Sequence, residues 1–284
     1  MKQSPIILSV ILLIFLVQSI KAQDIISAND LAKISKDKNV TIISARTPAD
    51  YKKVHITGAL NIDHKSLYAD QSMLKPTSEL AKILGDAGIS EKNQLVIYDN
   101  GSGKYSGRMY WILKYMGASN VKVLDAGMKG WRVARKPVTK NPTQVTPVTF
   151  TPKVSANVIA TMTQVNKAIV GSTAVMVDVR SSEEFGGTAA TNLRKGHIPS
   201  AINLEFKNVL NPDGTLKSKV ELAQLFEAAG IPSSKEVILY CESSVRAGIV
   251  YLALTSYLDY KNVKVYDGAY LEWQADINNK VDAG

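Results

Sequence analysis

Cys241 is the only cysteine in the 284-residue chain. It lies in the run Val237-Ile238-Leu239-Tyr240-Cys241-Glu242-Ser243-Ser244-Val245-Arg246-Ala247-Gly248, where an apolar stretch of strand length gives way to a polar loop and then to a helical pattern. A loop that leaves a strand and opens a helix turns successive backbone N–H groups toward one side chain, and the positive end of the helix favours negative charge there. The thiolate is the nucleophile of cysteine chemistry, so this setting suits covalent catalysis. A lone cysteine can instead pack as a small hydrophobe. The polar residues that follow, and Arg246 five positions on, favour the nucleophile. Cys241 is the candidate catalytic residue, and Glu242, Ser243, Ser244, Val245 and Arg246 form the candidate binding loop.

The elements that must hold this loop are written twice. His55-Ile56-Thr57-Gly58-Ala59-Leu60-Asn61-Ile62-Asp63 resembles His197-Ile198-Pro199-Ser200-Ala201-Ile202-Asn203-Leu204-Glu205 at an offset of 142. The same offset carries Gly88-Ile89 to Gly230-Ile231, Tyr98-Asp99 to Tyr240-Cys241, Val121-Lys122-Val123-Leu124-Asp125 to Val263-Lys264-Val265-Tyr266-Asp267, and Trp131 to Trp273. A constant offset marks two copies of one fold. Ser44-Ala45-Arg46 matches Asp178-Val179-Arg180 at an offset of 134, so the second copy carries an insertion of eight residues around 186–193. Each copy predicts strand, helix, strand, helix, strand: strands at 40–44, 95–98 and 121–124 with helices at 78–87 and 107–116, then strands at 175–179, 237–240 and 263–266 with helices at 218–229 and 245–254. That alternation implies an α/β fold, a mainly parallel sheet flanked by helices in each copy. Sites in such sheets lie beyond the carboxyl ends of the strands, where Cys241 falls.

Residues 137–157 carry Pro137, Pro142, Pro147 and Pro152 among threonines and read as an extended linker. The expected organisation is a signal peptide at 1–22, an N-terminal domain at 23–136, the linker, and a C-terminal catalytic domain at 158–284. The leader reading rests on Lys2, a short apolar run and Ala22 before Gln23. The apolar run is shorter than the roughly 20 residues that span a bilayer, so export to the periplasm or medium, with no stable membrane insertion after cleavage, is expected. Net charge is +9, and Lys2 and Lys21 leave with the leader. The basic balance suits a small anionic substrate. The lysines are scattered and no basic strip is studded with aromatics, so nucleic acid is not an expected partner. No cofactor or metal is expected: His55, His64 and His197 are the only histidines, and none shares ligand spacing with Cys241.

The chain resembles the tandem-domain rhodaneses, sulfurtransferases of the thiosulfate and 3-mercaptopyruvate family. The resemblance covers essentially everything after the leader. It rests on Gly196-His197-Ile198-Pro199 with Ala201, the six-residue loop from Cys241 to Arg246, and Tyr266-Asp267-Gly268-Ala269-Tyr270-Leu271-Glu272-Trp273. It implies an active cysteine in the C-terminal domain, with Asp99 marking the N-terminal domain as a silent copy. It also implies a ping-pong reaction in which the thiolate takes sulfur from a small anionic donor as a persulfide and yields it to a thiophilic acceptor, cyanide or a thiol. Backbone N–H groups from Glu242 to Ala247 would then stabilise the persulfide anion. Arg246 and Arg180 are candidates to hold the anionic part of the donor, with an internal ion pair to Asp178 as the other reading of Arg180. Arg194 and Lys195, bordering the insertion, are weaker candidates. The family's thiosulfate enzymes tend to carry cations after the cysteine, and its mercaptopyruvate enzymes Gly-Ser-Gly or Gly-Thr-Gly. Glu242-Ser243-Ser244 is neither, so a mercaptopyruvate donor stays open beside thiosulfate.

Three other readings compete. A cysteine–arginine phosphatase needs its arginine six positions after the cysteine, and here it is five, leaving the cradle one residue short. A thiol–disulfide oxidoreductase lacks its resolving cysteine. An exported persulfide carrier that turns over poorly is the non-enzymatic reading. His197 could serve as a base, yet its copy His55 sits in the domain without a cysteine, which favours a turn role for both.

Overall fold

The computed structural model describes residues 24–69 and 73–283; the expected leader, 1–22, lies outside them. Two five-stranded, all-parallel sheets form the chain. The first takes β1 (Ile25–Ile26), β2 (Val40–Ser44), β4 (Leu60–Asn61), β5 (Gln94–Tyr98) and β6 (Val121–Leu124) in the order β1-β6-β5-β2-β4. The second takes β8 (Ile159–Ala160), β9 (Ala174–Asp178), β10 (Ile202–Asn203), β11 (Glu236–Tyr240) and β12 (Val263–Tyr266) in the order β10-β9-β11-β12-β8. The central strands are near-continuous apolar runs because helices cover both faces of each sheet. A separate antiparallel pair joins β3 (His55–Ile56) to β7 (Val138–Thr139).

The helices are α1 (Ala28–Ile34), α2 (Pro48–Lys53), α3 (Thr77–Asp86), α4 (Lys104–Tyr115) and α5 (Gly127–Val133) in the first domain, and α6 (Met162–Gly171), α7 (Ser182–Phe185), α8 (Lys219–Ala228), α9 (Ala247–Leu252) and α10 (Ala269–Ala275) in the second. The predicted glycine stops hold: α3 and α8 end two residues before Gly88 and Gly230, both in the left-handed region at φ 77° and 71°. The helix expected from 245 to 254 begins at Ala247 and passes into a π-helical turn at Ala253–Tyr257. Among the described residues, no helix is long and apolar enough to cross a membrane.

The repeat extends to single bonds. Ile56 N–H donates to Tyr98 Oη at 3.2 Å, and Ile198 N–H to Tyr240 Oη at 3.1 Å. The Trp131 indole donates to the Pro137 carbonyl and the Trp273 indole to that of Lys280, both at 2.9 Å. The histidines of the repeated turn behave alike. His55 Nδ1 lies 2.8 Å from the Tyr51 carbonyl with its ring stacked on Tyr51; His197 Nδ1 lies 2.9 Å from the Phe185 carbonyl, stacked on Phe185. Both tie a turn to the helix before it.

The two domains pack through α4 and α9, which cross backbone against backbone. A Cβ on Gly107 would run into Ile249, and one on Gly248 into Gly107, so only glycine permits this approach. The domains also hook over one another reciprocally. Leu74 N–H donates to Asp267 at 2.8 Å, and its counterpart Leu216 N–H donates to Asp125 at 2.9 Å. Each domain therefore supplies a wall for the other's strand-to-helix loop. Residues 137–157 run along the first domain: Val148 N–H bonds the Gly85 carbonyl, Lys153 N–H that of Met116, and Phe150 is buried.

Candidate active site

Cys241 directly follows β11 and is fully buried beneath its loop. Its Sγ accepts one backbone N–H, from Arg246 at 3.3 Å. The loop is held from the other side by α10, where Tyr270 N–H donates to the Cys241 carbonyl and Leu271 N–H to that of Glu242, both at 3.0 Å. Ser244 adopts φ 58°, unusual for a residue with a side chain, and is buried. Its hydroxyl reaches the carbonyls of Tyr266 and Asp267, anchoring the loop to the end of β12. Ser244 thus points away from the opening, whereas Glu242, Ser243, Val245 and Arg246 line it.

The opening is a cavity of about 750 Å³ between the domains. The second domain also supplies Ser181, Glu184, Glu205, Phe206 and Lys207. The first supplies His64, Lys65, Tyr68, Lys104 and Tyr105, none of which the loop motif signals. Lys207 pairs with Glu205 at 3.0 Å, while Lys65 and Lys104 carry no ion pair among the described residues. The surplus positive charge at the mouth therefore comes from the domain without the cysteine.

Arg246 is gripped by Glu184 through two parallel bonds of 2.6 and 2.8 Å. Glu184 is also the third residue of the capping box that starts α7, accepting the Ser181 N–H at 3.1 Å. Burial alone would raise the Glu184 carboxyl; its bonds to Arg246 outweigh this and hold it below the usual glutamate range. Burial likewise works against charge on Arg246, and Glu184 and the Cys241 sulfur reverse the effect, so its pKa is raised and it stays cationic beside the sulfur. Glu242 is 46% exposed, with one oxygen 3.9 Å from Arg246.

Arg180 does not reach the cavity. Its Nε lies 3.0 Å from both Asp178 oxygens, a terminal nitrogen 2.6 Å from one of them, and the same nitrogen donates to the Gly196 carbonyl at 2.8 Å. The guanidinium lies 3.9 Å from the Tyr270 ring centre. Of its two sequence readings, the internal ion pair is the one present. Arg194 likewise turns to the Asp276 carbonyl, and no residue of the 186–193 insertion lines the cavity. The Ser181-x-x-Glu184 signature was readable as a capping box and would have flagged Glu184. The first-domain wall becomes legible only once the reciprocal packing is known.

In the first domain, Asp99 stands where Cys241 stands in the second. Its carboxylate fills the loop: Oδ1 accepts N–H groups of Gly101 at 2.7 Å and Gly103 at 3.4 Å, and Oδ2 those of Tyr105 at 3.1 Å and Ser106 at 3.4 Å. A strand-to-helix loop of this fold is thus an anion cradle, and in one copy a built-in anion occupies it.

The rhodanese-like domain family matches residues 27–134 and 161–276. A Mycolicibacterium smegmatis protein named "Putative thiosulfate sulfurtransferase" is 31% identical over 273 residues, covering 92% of this chain and 98% of the relative. A Haloferax volcanii protein of the same name is 32% identical over 244 residues, covering 82% and 85%. Among solved structures, SseA from Escherichia coli, described as a 3-mercaptopyruvate sulfotransferase, superposes with a TM-score of 0.81 at 29% identity, covering 87% of this chain and 99% of that one. Two rhodanese-like domains, the geometry of the cysteine loop and these relatives place the chain in the rhodanese family, as a sulfurtransferase.

Proposed function

We propose that the protein moves a sulfane sulfur from thiosulfate to a thiophilic acceptor, cyanide or a thiol, through a persulfide on Cys241. The Cys241 thiolate attacks the outer sulfur of the donor. The Sγ–S bond forms as the donor S–S bond breaks, and the electron pair leaves with sulfite. A nucleophilic acceptor then takes the outer sulfur and returns the thiolate. The sulfur moves at the sulfane level, so neither half changes the charge of the protein or needs an outside oxidant or reductant.

The observation that carries this reading is the Asp99 cradle. An aspartate oxygen stands two bonds beyond Cβ, as the outer sulfur of a cysteine persulfide does. Cys241 Sγ, one bond beyond Cβ, accepts only the Arg246 N–H, whereas the Asp99 oxygens collect four. The outer sulfur would extend into the rest of its own loop's N–H groups, where an anion is stabilised without a metal. Arg246, fixed by Glu184, adds a positive charge beside the sulfur, and Lys65 and Lys104 supply attraction for the donor's anionic remainder.

A mercaptopyruvate donor is the second reading, favoured by the likeness to SseA. Steady-state assays with thiosulfate and 3-mercaptopyruvate side by side, cyanide as acceptor, decide between them. A kcat/KM at least about tenfold higher for thiosulfate is expected, and the reverse preference would select the second donor. Sulfur loading without turnover on either donor would point to a persulfide carrier. We also propose export, supported by residues 1–22; the mature chain should begin at or near Gln23, which N-terminal sequencing from the native host reads directly.

A further inference from the structure

The 142-residue repeat pairs His64, Lys65 and Tyr68 of the active cavity with Phe206, Lys207 and Leu210 of a second groove, of about 460 Å³, facing the silent loop. There Gly101, Ser102 and Lys104 face Phe206, Lys207 and Leu210 of the second domain. At the active loop the corresponding wall is His64, Lys65 and Tyr68 of the first. Lysine is kept at both. Leu210 beside the silent loop, however, becomes Tyr68 beside the reactive one. An apolar residue suffices to pack the position, so the hydroxyl is what the active side adds.

Among the described residues that hydroxyl has no acceptor. Tyr68 Oη is sealed from solvent and accepts or donates no hydrogen bond of good geometry among the described residues. The charged group beside it is Arg108, whose guanidinium lies 4.6 Å from the Tyr68 ring centre. Arginine has donors only, so the phenolic proton finds no acceptor there. Buried donors are rarely left in this state. The Tyr68 backbone is set by a bridge to Leu74, whose N–H is fixed on Asp267 of the other domain. Burial pushes the phenol up to about 12; Arg108 opposes this, and the charge of the Cys241 sulfur adds to it. The group is therefore a proton donor throughout the neutral range, within electrostatic reach of the sulfur.

Building on the persulfide reading, we propose that Tyr68 is a catalytic residue contributed by the otherwise silent domain, its hydroxyl donating a hydrogen bond to the outer sulfur as charge moves onto it. The proton stays on the phenol. The bond is charge-assisted once the outer sulfur is anionic, so it strengthens along the loading step and stabilises the product persulfide. On this proposal the substrate brings the acceptor that Tyr68 lacks among the described residues.

The test is pre-steady-state loading of Cys241 by thiosulfate, followed by intact mass, in wild type, Tyr68→Phe and a protein carrying 3-fluorotyrosine at position 68. Phenylalanine keeps the ring under Arg108 and removes the hydroxyl; the fluorinated residue keeps both. Loading should slow about tenfold to a hundredfold in Tyr68→Phe, below the range for removing a full oxyanion donor because sulfur is the weaker acceptor. Melting should change by no more than a degree or two, and the fluorotyrosine protein should load within about threefold of wild type. Equal loading by Tyr68→Phe and wild type overturns the role of Tyr68 and leaves persulfide chemistry intact. An equal loss in the fluorotyrosine protein assigns the effect to ring packing and likewise overturns it. A wild type that gains no sulfur overturns the transfer reading itself, and this role with it.

Discussion

Two loops in this molecule answer the same structural question differently. Each follows the central strand of a parallel sheet, opens the helix that crosses the domain interface, and faces a wall lent by the other domain. In the first, Asp99 supplies a permanent carboxylate, and Gly101 and Gly103 take the left-handed backbone at φ 114° and 71° that brings the N–H groups round to it. In the second, Cys241 supplies a shorter side chain. The left-handed residue is now Ser244, which ties the loop outward to β12 and leaves the sulfur with one N–H. The silent loop is satisfied as it stands. The active loop leaves its sulfur with a single N–H, and under the proposed transfer that difference makes room for the incoming atom. A fold duplicated in one chain thus keeps a finished version of its own anion site beside the working one.

The comparison breaks most sharply if the active loop is rewritten as the silent one. Cys241→Asp should fold, hold its melting temperature or exceed it, and lose sulfur transfer by more than about a thousandfold, because the nucleophile is gone and a carboxylate takes its place. Melting curves and steady-state turnover check this together; an unfolded variant would show that the two loops are not equivalent cradles.

The reverse change weakens the silent loop alone. Asp99→Asn replaces a charged double acceptor by one neutral oxygen and should cost about 1–3 kcal/mol, read as a melting point lower by several degrees. Turnover at 25 °C should stay within about twofold. A fall of more than about tenfold at unchanged melting would mean that the first loop takes part in the reaction.

The smallest effect is expected at Glu242, where the two loops differ in charge, Asn100 being its counterpart. Glu242 lines the cavity but is nearly half exposed, so screening limits its influence. Glu242→Gln should raise kcat/KM for thiosulfate about two- to threefold and leave 3-mercaptopyruvate nearly unchanged, since removing a like charge helps the dianion more. Equal changes for both donors would leave loop shape as the determinant of choice.

Much of this is legible in the sequence. The repeat offset located both domains, and the mostly apolar runs of strand length at 40–44 and 121–124 matched their strands residue for residue, because a parallel strand covered on both faces keeps few polar residues. Glycine after an apolar helix fixed the ends of α3 and α8. Cys241 and its loop stood out by residue type alone. Two-residue edge strands such as β1 and β8 carry too little pattern to be seen. Arg180 was ambiguous because Asp178 offered it a partner two residues away, and burial decided the matter. Tyr68 and Lys104 were invisible as site residues for a different reason: they come from a domain without a cysteine, and only the reciprocal crossing of α4 and α9 brings them to the cavity beside the Cys241 loop. Side chains that pack across a duplicated interface leave their signal in the differences between the copies, here tyrosine against leucine.

The central claim is that the empty share of the Cys241 cradle receives a sulfur atom. Intact-mass measurement of the purified protein after thiosulfate treatment tests it most directly, with Cys241→Ser alongside. The account predicts a gain of about 32 Da on the wild type, removed by cyanide, and no gain on Cys241→Ser. A wild type that keeps its mass while turning over thiosulfate, or a Cys241→Ser protein that gains the same sulfur, would contradict it.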